Sequence, residues 1–374
     1  MQSRTHVYVL AGVVLSSFLT PFMGSAVNIA LPAIAHDLQL DAVSLNWVAT
    51  SYLLASTTAL IPMGRLADLT GRRRVFLAGI VLFTAASAAC ALAGSFGLLL
   101  AGRVVQGFGG AMIFSTGIAL LTQVFPAQDR GRVLGWNVAV VYLGLSLGPF
   151  IGGALTQHAG WRSVFLAVLP VGLASAACIA AGMTAGDRSG QPGRFDRVGA
   201  VLYMVSLPLV IFGVSRLQTA GCALAAAGMA GLACFAAWER RTRNPLVDLG
   251  LFVRNRIFAL SNLAALIHYA ATFSQGFLLS LYLQYIKGLD PFHAGLVLIA
   301  APVVMAALSP LAGALSDRLE PRYLASAGMA LTTLALVFLA RLGPGTGLGG
   351  IMAVLVLSGV GFAQAKMIAS FAMP

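Results

Sequence analysis

Apolar residues in this chain come in long, nearly uninterrupted runs. They show neither the alternation of a half-buried strand nor the i, i+3, i+4 stripe of a helix facing a water-surrounded core. A helix needs about 20 mostly apolar residues to cross a bilayer. Runs of that length predict helices near 7–31, 44–63, 75–94, 97–122, 133–156 and 163–184, and six more near 197–215, 219–238, 257–282, 292–312, 323–340 and 346–370. The polar connections between them are short and leave no room for a soluble domain. The first run follows Arg4 and includes Gly24-Ser25-Ala26, as a secretory leader would. Its apolar character continues to Leu31, past the roughly 7–15 residues of a leader's core, so a retained first helix is expected.

Composition narrows the class. The chain is 59% apolar and only 9% charged, against roughly 25% charged in a soluble domain. It has too few polar residues to cover a water-facing surface, which excludes a soluble enzyme and a disordered chain. A net charge of +12 and a pI near 10.3 would alone point to nucleic acid. The placement of the charges decides otherwise. Of 23 basic residues, 17 lie at the N-terminus or in the even-numbered connections and 4 in the odd-numbered ones, with Arg103 and Lys366 inside runs. That bias places the N-terminus in the cytoplasm and removes the nucleic-acid reading. Cys90, Cys178, Cys222 and Cys234 lie in apolar runs without CxxC spacing and read as packing residues. No nucleotide, metal or nucleophile motif is present, and Gly107-Phe108-Gly109 falls inside an apolar run where glycine serves packing. Without a cofactor or nucleotide, an ion gradient is the expected energy source.

Two connections resemble each other. GRLADLTGRRR (Gly64 to Arg74) follows the second run, and GALSDRLEPR (Gly313 to Arg322) follows the tenth. The shared G-x-L-x-D points to a duplicated six-helix unit. In a simple 6 + 6 arrangement the second copy would follow the eighth run, so two extra helices, 197–215 and 219–238, separate the halves. The expected division is a six-helix bundle over 1–186, two inserted helices with cytoplasmic flanks over 187–254, and four helices of a second bundle over 255–374. On this reading two C-terminal helices are lacking, and a transport-incompetent fragment or membrane interaction protein stays open as an alternative.

The motifs resemble the major facilitator superfamily, in particular its fourteen-helix drug:proton antiporter branch of multidrug efflux permeases. Gly64, Leu66, Asp68, Gly71, Arg72 and Arg73 match the first-loop signature, with Leu69 where Arg is usual. LLAGRVVQGFGGAM carries Arg103, Gln106, Gly107 and Gly110; GLSLGPFIGG carries Gly144, Gly148, Pro149, Gly152 and Gly153. VNIALP, WVATSYLL, WRSVF, FDRVG and NPLVDLGLF are similar to the same branch. The resemblance implies an all-α, polytopic major facilitator fold with about 12 of its helices present. It also implies a monomer in the bacterial inner membrane that exports drug-like or metabolite small molecules in exchange for protons. In that branch the residue at Arg103 is implicated in proton coupling.

Physical reasons support the candidate residues. An Arg inside a span costs roughly 2.5–3.5 kcal/mol on insertion scales, so Arg103 is expected to face a cavity or a partner, with Gln106 one turn along. Asp68, in a basic loop, is expected to latch the cytoplasmic side through Arg130, Arg132 or a helix N-terminus, with Asp317 and Arg318 as the repeat's counterparts. Gly144, Gly148 and Gly152 form a small-xxx-small stripe for close helix approach, and Pro149 can bend it. Polar cavity candidates are Asn28, Asn137, Tyr142, Asn262, His268, Gln275 and Gln284. All 11 acidic residues fall in connections or at helix ends, and Met23 stands where the branch usually has a helix-1 Asp. That absence leaves a neutral or anionic substrate as the alternative to a cationic drug.

Overall fold

In this computed structural model the described residues are 2–182, 193–215, 219–242, 244–247, 249–316, 321–343 and 345–365. They form α1 (Gln2–Leu38), α2 (Ala42–Thr70), α3 (Arg72–Ala91), α4 (Phe96–Val124), α5 (Ala127–Ala159), α6 (Arg162–Leu166), α7 (Val168–Gly182), α8 (Arg197–Ser215) and α9 (Thr219–Glu239). There follow α10 (Gly250–Arg254), α11 (Arg256–Leu281), α12 (Pro291–Leu298), α13 (Ala300–Ser316), α14 (Pro321–Leu339) and α15 (Leu348–Ala365). Each of the twelve apolar runs coincides with a helix or a helix pair. The run at 163–184 is divided between α6 and α7, and that at 292–312 between α12 and α13. Among the described residues, nine helical segments have the length and apolarity of a membrane span. Large apolar side chains such as Val81, Ile118, Ile257 and Leu266 are exposed on their surfaces, as lipid contact requires.

The chain divides into two compact units. One comprises Met1–Ser16, Asn46–Leu134 and Leu169–Leu251, the other Ser17–Leu45, Gly135–Val168 and Phe252–Pro374. Because these units interleave along the chain, they neither match nor exclude the sequential division at 186 and 254. The first of those boundaries lies outside the described residues.

In the first unit, glycines set the helix spacing. A Cβ on Gly109 would lie 2.6 Å from the backbone N of Phe83, and one on Gly79 would lie 2.6 Å from Met112 Cβ, so α3 and α4 pack almost backbone to backbone. Gly107 and Gly110 turn the other way, onto Tyr52 of α2. The GFGGAM motif is therefore a two-sided spacer for α4. In α8 and α9, Gly228 meets the backbone of Val210 and Gly213 that of Ala225, which makes the pair an antiparallel helical hairpin.

Helices overrun the predicted boundaries where polar residues extend them. The connection between α2 and α3 shrinks to Gly71, whose φ of +106° and ψ of +123° suit glycine alone. No atom lies within 4 Å of a Cβ built there. Gly71→Ala is thus a pure backbone test. It is expected to cost about 1–3 kcal/mol, read as a lower midpoint in thermal unfolding.

In the second unit, Ile29 packs with Leu279, Leu283, Val297, Ile351 and Leu355. A π-turn at Tyr282–Ile286 ends the ninth apolar run, and Asp290 opens α12 as its N-cap with Pro291 at the first turn. The Asp290 carboxylate accepts the His293 N–H at 2.9 Å and the His293 ring at 2.7 Å. These donors hold its carboxyl below the usual carboxylate range. The folded form is the better acid, so the cap contributes fully above the unfolded value of about 4 and is lost as pH falls through the folded one. Asp290→Asn is expected to flatten the acid limb of a Tm-against-pH profile below about pH 4 and to leave a uniformly lower Tm above it.

Candidate functional site

The first cluster is built on α4. Arg103 is 1% exposed and lies deep in its helix. It does not snorkel: its Nε donates to the Val48 carbonyl of α2 at 3.0 Å, and Nη1 donates to Gln106 Oε1 at 2.5 Å. The guanidinium lies 4.5 Å from the centre of the Tyr52 ring, one turn past Val48. Gln106 Nε2 then donates to Ser87 Oγ of α3 at 2.6 Å, and Ser87 Oγ donates to the Phe83 carbonyl at 2.8 Å. A continuous polar chain thus joins α2, α4 and α3 through an otherwise apolar core. Two polar acceptors and an aromatic face offset the desolvation of the charge, and no carboxylate takes part.

Tyr52, Val48 and Ser87 were not singled out by sequence reasoning. Tyr52 had a signal in WVATSYLL, one turn beyond Val48. Ser87 had none, because a serine within a span ordinarily bonds its own helix.

At the Asp68 end of α2, the carboxylate pairs with Arg72 at 3.0 Å across the Gly71 turn. This pairing lies within the motif itself. Arg72 also donates to the Ala119 carbonyl of α4, and Arg73 to the Ala180 carbonyl near the end of α7, both at 3.4 Å. Arg74 is exposed. Gly64 sits on α2, where a Cβ added to it would lie 3.5 Å from Ser115 Cβ, an ordinary contact. Asp317, Arg318 and Lys366 lie outside the described residues, as do the side chains of Arg130 and Arg132.

The helix-5 motif assembles the second unit. Gly144 approaches the Phe18 carbonyl, Gly148 abuts Ser25, and Gly152 abuts Ala26, each step one turn along α5. Ser25 Oγ donates to Pro21 and Phe22 of its own helix and reaches the Gly144 carbonyl at 3.4 Å. Gly153 faces the Pro291 carbonyl and Gly295 faces that of Pro149, closing α5 onto α12. The rings of Phe150 and Phe292 lie 5.5 Å apart at the same crossing. Near the end of α1, Asp37 accepts from Trp161 Nε1 at 3.0 Å and from Arg162 at 2.7 Å. WRSVF thereby acquires a structural use.

The cavity candidates divide. Ser280 Oγ donates to the Asn28 carbonyl at 2.9 Å, and Gln284 Nε2 donates to the Ile29 carbonyl at 3.3 Å, so the end of α11 and the π-turn after it are stitched to α1. Gln275 accepts from Ser358 of α15 at 3.0 Å. Asn262 bonds its own helix. Asn137 Oδ1 and His268 Nε2 are buried without a hydrogen-bond partner. Tyr142 is buried on α5 within electrostatic reach of Tyr269 on α11. Met23 is fully buried. The four cysteines are free, with Cys90 buried and Cys222 and Cys234 exposed.

Bilayer-length helices, glycine-spaced and pinned by a buried arginine network, define a polytopic helical membrane protein of the transporter class. The chain belongs to the Major Facilitator Superfamily, whose family model matches residues 13–373. It is 29% identical over 353 residues to the riboflavin transporter RibZ of Clostridioides difficile (strain 630), covering 94% of this chain and 77% of that protein. It is 33% identical over 346 residues to the multidrug resistance protein Stp of Mycobacterium tuberculosis, covering 90% of this chain and 64% of that one. The chain thus spans between about two thirds and three quarters of the length of these relatives. The fold is similar to a bacterial homologue of the human lysosomal transporter Spinster, crystallised inward-facing and unoccupied. That match has a TM-score of 0.69 at 18% identity and covers 98% of this chain and 75% of the other. The superfamily consists of membrane transporters, not enzymes, and the protein is a multi-pass membrane protein.

Proposed function

We propose that the chain is a proton-coupled exporter of drug-like or metabolite small molecules, working by alternating access as a monomer in a bacterial inner membrane. Its N-terminus is cytoplasmic, its energy comes from the proton gradient with no cofactor or nucleotide, and its helices divide as 6 + 2 + 4. The observation that carries this reading is Arg103: a charge at 1% exposure, bonded to Val48 and Gln106. A cation held at that depth is costly, and its retention with dedicated partners is what a coupling site requires. The Asp68–Arg72 pair supports a latch at the cytoplasmic end, and the packing of Gly153 and Gly295 between α5 and α12 supports a seal at the other. The name of the relative Stp supports drug export.

A second reading concerns the substrate. With Met23 buried in place of a carboxylate and no acidic residue within the apolar runs, the site is built for a neutral or anionic solute rather than an organic cation. The name of the relative RibZ favours a neutral heteroaromatic solute of riboflavin's kind. Proteoliposomes holding the full-length protein test both. Riboflavin flux that exceeds ethidium flux under an imposed proton gradient supports the neutral-substrate reading, whereas the reverse order contradicts it. No flux of any solute from a drug and metabolite panel contradicts the exporter.

A further inference from the structure

We propose that His268 is the proton-binding group of the membrane region, a step that rests on the proton-coupled reading above. The chain's 11 acidic residues lie in connections or at helix ends, so no carboxylate stands mid-span to take a proton. Arg103 cannot do so, because a guanidinium stays charged at any physiological pH, and here it donates to Val48 and Gln106. Tyrosine and cysteine side chains ordinarily titrate well above neutrality. An imidazole is the remaining group that changes charge between about pH 5 and 8. Of the five histidines, His6, His36, His158 and His293 lie near helix ends, and His268 alone sits at mid-helix, in α11.

Its surroundings fit the role. The side chain is 94% buried by its 6% exposure, and Nε2 has no hydrogen-bond partner. A buried ring nitrogen left without a partner costs free energy unless something binds it in another state. The ring packs 5.0 Å from that of Phe362 on α15 and 5.9 Å from that of Tyr269 on its own helix, and Tyr142 of α5 stands within electrostatic reach of Tyr269. Among the described residues Tyr269 is the titratable side chain in ring contact with it, and no charged side chain acts on it. His268 shares its α11 face with Gln275, two turns on, which bonds Ser358 of α15. The same span ends in the π-turn at Tyr282–Ile286, a feature found at functional sites.

In the step itself, the Nε2 lone pair takes a proton from water to give an imidazolium, which the aromatic faces of Phe362 and Tyr269 can stabilise. With no counter-ion, that cation is costly once the site is dry. The proton is therefore held only while water or solute reaches the ring, and it returns to water as the neutral imidazole when access changes. One proton enters and one leaves per cycle.

The test uses the full-length protein in nanodiscs with nitrogen-15 histidine. In a variant with His6, His36, His158 and His293 changed to Gln, the single remaining imidazole is expected to pass from its neutral to its protonated form as the pH is lowered from 9 to 4.5. One neutral tautomer throughout pH 4.5–9 would overturn the proposal. In proteoliposomes with riboflavin as probe, the gradient stimulation of wild-type flux is expected to fall to onefold in His268→Gln. Stimulation retained in His268→Gln overturns the assignment of His268. Wild-type flux indifferent to the gradient instead overturns the proton-coupled reading beneath it, and the His268 proposal with it.

Discussion

Arg103→Ala is expected to abolish gradient-driven flux while leaving the protein inserted and folded. The substitution removes the donors to the Val48 carbonyl and Gln106 Oε1 and the cation over Tyr52. Two acceptors left unpaired in an apolar core cost about 1–3 kcal/mol each. The desolvation cost of the buried charge disappears at the same time. Stability should thus change little, while the electrostatic element needed for coupling is gone. A change of about 3 kcal/mol expressed in the transport barrier is roughly 100-fold in rate. Arg103→Lys separates charge from geometry. An ammonium is a point donor and cannot satisfy Val48 and Gln106 from the two positions the planar guanidinium occupies. The lysine variant should insert normally and remain at least tenfold slower. Normal gradient-driven flux in Arg103→Ala would refute the role.

Gly152→Val is expected to be the most damaging change at the α1–α5 seam. A Cβ at Gly152 would sit 2.8 Å from Ala26 Cα, and backbone cannot swing aside as a flexible side chain can. Overpacking of this kind costs about 1–3 kcal/mol, and the two further methyl groups of valine move it toward the upper end. Relaxation would part α1 from α5 near the Asn28–Ser280 bond, so flux should fall along with the thermal midpoint. Gly24→Ala is the control: no atom lies within 4 Å of its Cβ. It should behave as wild type in both measurements. Equal loss in the two variants would show that the seam is not sterically set.

Much of the fold was legible because bilayer length is a coarse, strong constraint. Twelve apolar runs gave twelve helices or helix pairs, and the glycine motifs of α4 and α5 fell on helices. Helix ends were less legible. The α2–α3 connection looked like a basic loop, but helix continues through Asp68 and resumes at Arg72, with Gly71 alone absorbing the reversal. That placement made Arg72 the partner of Asp68, by proximity across the turn.

Arg103 and Gln106 were legible because charge and amide inside an apolar run are costly. Their partners were not, because a backbone carbonyl such as that of Val48 has no sequence signature. Ser87 looks like any other small residue of α3. Gly107 and Gly110 were readable as packing glycines, but which neighbour each one meets depends on how α4 is rotated. His268 stood out as a polar residue at mid-span, and its lack of a partner emerged only once α15 supplied Phe362 rather than a hydrogen-bonding group.

The most direct test of the account is simultaneous recording of solute and proton movement in proteoliposomes containing the full-length protein, with a pH dye inside and riboflavin as the solute. The account expects proton flux opposite in direction to riboflavin flux, at a fixed ratio, with both lost in Arg103→Ala. Riboflavin flux unaccompanied by proton movement, and unchanged when the gradient is collapsed, would contradict it.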